Sequence, residues 1–316
     1  MDANESLNNF DYEGFMTREF SYPEGKFPDI TRLLGHFDKI TKLLLECAIQ
    51  SLKVAKNHQG LPAYHANTRY TIVCNFRLRT INLIKIFSDL VDIKGGEIFD
   101  EGTANIIARS LLESYLIYFR LYNGCKGDKE IQNLYFNLYD LSSAMHFLKY
   151  RKSFQGIKPE KFDEGTFNLR IEELIKNIKS SNKYAALPQK TRNAIQKIEA
   201  GEQDYINFIN FNKLIRESPL PTNFVTTYYS YASSFAHSEG FSSSVSQTYF
   251  QSRERWKDLN QSLKFKLIYM CLAVSSQFYI SFIEYDKRQM GDEKEQDVWE
   301  TLSLCNYYLT ALNINK

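Results

Sequence analysis

Arg109 and Glu113 stand four residues apart in TANIIARSLLESYLIYFRLYN, the segment from Thr103 to Asn123. A cation and a carboxylate at that spacing share one helix face and can meet directly. Arginine comes first, the weaker order for helix stability, so local helix energy is a poor reason for the pair. At about 100° per residue, Asn105, Leu116 and Arg120 fall in the same narrow sector. A second stretch, TNFVTTYYSYASSFAHSEG, puts Thr226, Ser230, Ser233 and His237 on one face, and a third sets out Thr71, Asn75, Arg79 and Asn82 at helical spacing. These residue types suit one chemistry. Guanidinium groups grip phosphate or carboxylate oxygens, and an imidazole moves protons near neutral pH. A carboxylate such as Glu113 either orients Arg109 or acts as a base once burial lifts its pKa. The expected catalytic residues are therefore His237, Glu113 and Arg109. Asn75, Arg79, Arg120, Ser230 and Ser233 are expected to bind the ligand, with His146 near them. The same residues have a second reading. An Arg–Glu pair inside a core pins helices together, and a lone histidine on an apolar helix is an ordinary core residue.

The elements that must carry these side chains are helices. The Thr103 segment is apolar on nearly every other side, with Ile106, Ile107, Leu111, Leu112, Tyr115 and Phe119 filling the wheel. Such a helix belongs in a core, not on a surface. Helical spacing of apolar residues also predicts a first helix from Asp29 or Thr31 to about Asn57, broken by Gly60-Leu61-Pro62. A second runs over about 63–93 and stops at Gly95-Gly96. An aromatic-rich helix covers about 128–154, and shorter ones about 166–182, 188–200 and 205–217. Thr222 or Asn223 caps the helix ending near His237. A Ser-rich loop spans 238–252, and the last two helices run over about 254–287 and 294–312. Residues 1–26 are polar and aperiodic and read as an arm. The expected architecture is all-α: one multi-helix bundle of long antiparallel helices over 27–316, with a basic helical insertion at 149–200. Over 149–197 there are 12 Lys or Arg against 5 Asp or Glu, a net of +7.

Composition narrows the function classes. Hydrophobic residues make up 43% and charged residues 24%, as in a folded globular protein. The net charge of +2 implies no particular partner by itself. The five cysteines are scattered without a C-x-x-C, so neither a zinc cage nor a disulfide framework is signalled. Reduced thiols in a cytoplasmic setting are the expectation. The stretch Leu267–Ile283 approaches a membrane span, but Ser275, Ser276 and Gln277 interrupt it, and a buried core helix is expected instead. The chain holds no H-E-x-x-H, G-x-S-x-G, Walker or dinucleotide-binding motif, so no metal and no cofactor is expected.

At Arg109-Ser-Leu-Leu-Glu113 and Tyr229-Ser-Tyr-Ala-Ser233-Ser-Phe-Ala-His237 the chain resembles a family of uncharacterised bacterial helical proteins. They carry an Arg-x-x-x-Glu helix and a later Ser-x-x-x-His helix. That family is distantly similar to the HEPN helical superfamily (higher eukaryotes and prokaryotes nucleotide-binding). The likeness spans about residues 30–290. It implies a nucleotide- or RNA-directed protein of the toxin or phage-defence type, with a polar centre built from Arg109, Glu113, Ser233 and His237. Many HEPN proteins are metal-independent ribonucleases that act through Arg-x(4–6)-His. Here the nearest approach, Arg32-Leu-Leu-Gly-His36, is one residue too short. The expected partner is a nucleotide or RNA, with no membrane. The alternative is a non-catalytic helical interaction protein, such as a homodimer, whose polar seams are structural.

Overall fold

The structure is a computed structural model and describes residues 29–55, 60–88, 91–92, 97–153, 164–236, 253–286 and 295–313. The arm 1–26, Gly95-Gly96, His237 and the Ser-rich stretch 238–252 lie outside the described residues. The protein is all-α, with ten α-helices among the described residues. They are α1 (Ile30–Ala55), α2 (Leu61–Ser88), α3 (Glu101–Leu121), α4 (Lys129–Ser153), α5 (Glu164–Ser180), α6 (Gln189–Glu199), α7 (Phe211–Glu217), α8 (Thr222–Ala236), α9 (Arg253–Asp286) and α10 (Glu295–Asn313). A two-residue antiparallel ladder, Val91–Asp92 against Glu97–Ile98, stands between α2 and α3.

Short acidic side chains start three of these helices. The Asp29 carboxylate accepts from the Thr31 N–H at 3.0 Å, Asp100 from Thr103 at 3.0 Å, and Asp128 from Glu130 and Ile131 at 2.9 and 3.1 Å. Each satisfies donors that the first helical turn leaves open. Asn210 caps α7 the same way, donated to by Lys213 N–H at 3.0 Å. That cap explains why α7 begins at Phe211 and not at Tyr205. Gly124 ends α3: its N–H returns to the Phe119 carbonyl at 2.7 Å, and a Cβ there would sit 3.2 Å from that oxygen.

The chain forms two compact units, one from residues up to Tyr118 together with those from Ile215, the other from Phe119 to Leu214. The sequence suggests one domain with an insertion at 149–200, whereas the second unit reaches back to Phe119 and takes in all of α4. In the first unit α1 and α2 pack antiparallel. Arg77 meets Asp38 at 2.6 Å near one end, and Arg69 donates to Ser51 near the other. Phe278 of α9 is the hub of the core. Tyr118 lies 4.6 Å from its ring, Phe76 5.0 Å edge-on and Tyr115 5.7 Å, within the range where aromatic pairs attract beyond simple burial. The candidate membrane span of α9, Leu263–Asp286, is 78% buried inside the protein, as a core helix is.

The second unit is built differently. Its core is aliphatic, from Leu134, Leu138, Leu141, Leu174, Ile178 and Ile195. Its sequence holds 16 Lys or Arg against 11 Asp or Glu, so it is basic. Several of those cations are paired: Lys183 with Asp128 at 3.0 Å, Lys179 with Glu199 at 2.8 Å and Arg170 with Asp140 at 3.8 Å.

Candidate functional site

The polar face of α3 meets α8 within the first unit, and tyrosine hydroxyls make the connection. Arg109 Nε donates to Glu113 Oε1 at 2.8 Å, and the Tyr229 hydroxyl donates to the same oxygen at 3.1 Å. Arg109 also reaches the Tyr229 oxygen at 3.4 Å, with its guanidinium carbon 5.0 Å from the centre of the Tyr229 ring, a cation–π distance. Arg79 arrives from α2. Its Nη1 donates to the Ser110 carbonyl at 3.4 Å and to the Ser114 hydroxyl, three residues before and one residue after Glu113. Two guanidinium groups from two helices therefore reach the same stretch of α3. The side chains of Arg109 and Glu113 are 20% and 26% exposed, so solvent reaches the pair.

The electrostatics follow from this layout. Partial burial holds the Arg79 guanidinium below its ordinary pKa, and Glu113 pulls the other way. Burial also works against charge at Arg109, but Glu113 and Tyr229 outweigh it and the net shift is upward. Tyr229 is pushed up by burial first and by Glu113 second, with Arg109 opposing. Both arginines stay cationic throughout the physiological range, so the group Arg79, Arg109 and Glu113 carries one net positive charge when Glu113 is ionised.

Toward its N-terminus the same face of α3 is closed. Glu101 and Asn105 are each only 2% exposed. Tyr231 donates to Glu101 Oε1, and Tyr228 donates to Asn105 Oδ1 at 2.7 Å. Asn105 Nδ2 donates to the Glu101 carbonyl at 3.0 Å. Polar groups buried this deeply need such partners, and here they hold α3 to α8.

The structure brings Arg109, Glu113 and Arg79 together and leaves other predicted residues apart. Asn75 is exposed, as are Thr71 and Asn82 of the same stripe. The polar line of α2 therefore runs along its solvent edge, and the deeply buried polar residues of that helix are Arg69 and Thr80. Ser230 is exposed, and Ser233 donates to the Tyr229 carbonyl at 2.6 Å, a bond inside its own helix. Arg120 belongs to the other unit, where it stacks 4.7 Å from the Tyr135 ring and donates to its hydroxyl at 3.2 Å. His146 is exposed, with Nδ1 2.8 Å from the carbonyl of Ser142. His237 lies outside the described residues, so the expected proton-transfer partner has no position here.

Sequence reasoning passed over Tyr228, Tyr229 and Tyr231, which it assigned to apolar packing or left unremarked. A tyrosine carries an apolar ring and a polar tip, and a run of tyrosines on a helix facing a polar stripe was the available signal. The second unit has a groove of about 640 Å³ between α5 and α6, floored by Ile171, Ile175 and Ile198 and rimmed by Lys179 and Glu199. It contains none of the predicted site residues. Among the described residues no group of His, Cys, Asp or Glu is arranged to hold a metal ion. All five cysteines are free thiols, and burial pushes those of Cys125 and Cys305 up to about 12, far from nucleophilic thiolates. Comparison of the chain with protein-family models, with curated proteins and with solved structures gives no match.

Proposed function

We propose that the protein binds the phosphate of a nucleotide or RNA at Arg79 and Arg109, as a nucleotide- or RNA-directed protein of the bacterial toxin or phage-defence type. The observation that carries this reading is the pair of arginines, from α2 and α3, turned to one partly open place on α3 where a single carboxylate balances only one of them. Guanidinium groups suit phosphate oxygens because their N–H fork matches the spacing of two oxygens. The basic balance of 119–214 supports the same reading, since lysine and arginine draw nucleic acid over distance. The resemblance of the Arg109–Glu113 and Tyr229–His237 segments to HEPN-like proteins supplies the pathway; no catalytic step is assigned. Isothermal titration of the protein with AMP, pyrophosphate and a short single-stranded RNA tests it. Binding that weakens about tenfold or more in Arg109→Gln and Arg79→Gln is expected. No binding to any of the three overturns it.

A second reading has its own observation. Glu113 Oε1 already accepts from Arg109 and Tyr229, which is what a structural tie between α3 and α8 would look like in a non-catalytic interaction protein. It predicts that Arg109→Gln lowers the melting temperature and leaves ligand binding, if present, unchanged.

A further inference from the structure

Glu113 lies against two donors on the partly open face of α3. Its Oε1 takes the Arg109 Nε–H at 2.8 Å and the Tyr229 hydroxyl at 3.1 Å, while among the described residues no bond to Oε2 holds the carboxylate from its other side. Arg79 is fixed beside it, on the neighbouring row of α3, by Ser110 and Ser114. Its attraction to Glu113 is felt at the guanidinium. Solvent reaches the side chains of Arg109 and Glu113, unlike those of Asn105 and Glu101, one and two turns before Arg109.

We propose, on the reading that Arg79 and Arg109 bind phosphate, that Glu113 is a built-in stand-in for the ligand and that the ligand it gives way to is a phosphate monoester. With Glu113 seated, the site offers one net positive charge. When its side chain turns out to solvent, Arg79 and Arg109 together offer two. A phosphate monoester carries about −1.5 to −2 near neutral pH, whereas an internal diester carries only one charge. The vacated donors, Arg109 Nε–H and the Tyr229 hydroxyl, then face a phosphate oxygen in the position of Oε1. A terminal phosphate at the end of a nucleotide or RNA chain gains from this exchange; a backbone phosphate only replaces the single charge that Glu113 gives up and leaves one positive charge unmatched. The carboxylate also sets a threshold. An anion must compete with an attached one, so weakly charged anions are kept out.

The test uses the whole protein and two probes of equal size class, phenyl phosphate as the monoester and methyl phenyl phosphate as the diester. Wild-type protein is expected to take the monoester in preference. Glu113→Gln keeps the size and one acceptor oxygen but removes the charge, so it is expected to bind the monoester about tenfold more tightly and to discriminate less against the diester. Arg109→Gln is expected to lose both. If the arginine variants abolish binding but Glu113→Gln binds no better than wild type, the stand-in role is overturned while phosphate binding survives. If the arginine variants bind as well as wild type, the phosphate reading itself falls. A Glu113→Gln protein that does not fold, shown by loss of its cooperative melt, assigns Glu113 to structure and overturns the proposal.

Discussion

Two of the arginine–carboxylate pairs in the first unit, each with aromatic rings beside the cation, are built from nearly the same parts. Arg69 of α2 meets Asp286 of α9 at 3.2 Å and Ser51 of α1, with the Phe282 and Tyr285 rings 5.0 and 5.3 Å from its guanidinium carbon. Arg109 meets Glu113 at 2.8 Å with Tyr229 at 5.0 Å. The partners differ in reach. Arg69 ties three helices and its side chain is 5% exposed, with Asp286 at 13%. Arg109 and Glu113 sit on one helix, the arginine four times and the carboxylate twice as open as its counterpart. Taking two charges out of water is costly, and that cost is recovered only by fixed geometry and full partnership. The first cluster has been given that surrounding; the second has been left where a charged visitor can reach it. Similar chemistry is thus sealed away in one place and open to solvent in the other.

The contrast can be broken most forcefully at Arg69. Arg69→Met should cost roughly 3–5 kcal/mol in urea unfolding, because Asp286, largely shielded from water, loses the cation beside it. A loss below about 1 kcal/mol would make the two clusters equivalent. A pH series gives the next largest effect. Burial first, and Arg69 second, lower the His65 pKa from 6.5 to about 4. The unfolded chain therefore gains a proton below about pH 6.5 that the folded protein refuses until about pH 4. Stability should fall across that window as the solution is acidified, and His65→Asn should flatten the slope. At the open cluster, Arg109→Gln should cost about 1 kcal/mol or less in the same assay. Smallest of all, Lys179→Ala breaks the exposed pair with Glu199, and its melting curve should overlay that of the parent.

Most helix limits were legible because caps and breakers are local. Asp29, Asp128, Gly60 with Pro62, Asn123-Gly124 and Pro188 act within a few residues of themselves, and each predicted boundary near them lies within two or three residues of the observed one. The α7 start lies five or six residues later than its apolar pattern suggests, because the Asn210 cap sets it. The site was half legible. Arg109 with Glu113 could be read because spacing on one helix fixes the pair. Arg79 could be listed from its stripe, although three stripe neighbours turned out to face water. Nothing in the α2 pattern says which side of an amphipathic wheel meets α3 when isoleucine and leucine also stand outside: Leu78 is 60% exposed and Ile81 45%. The tyrosine ties were invisible for a different reason. A pattern that counts tyrosine as apolar discards the hydroxyl that reaches across to another helix.

The phenols that hold α3 and the core also fix how the protein should meet alkali. Burial drives the pKa of Tyr115, Tyr118, Tyr228, Tyr231 and Tyr279 upward, so the native state keeps these protons well past pH 10, where an unfolded chain sheds them. The stability they lend is intact below that point and drains away as the solution becomes more basic. Once one molecule opens, its hydroxyls ionise together and oppose reclosure. Ultraviolet difference spectra should therefore show a sudden release of tyrosinate that coincides with the loss of helix, in place of a gradual titration.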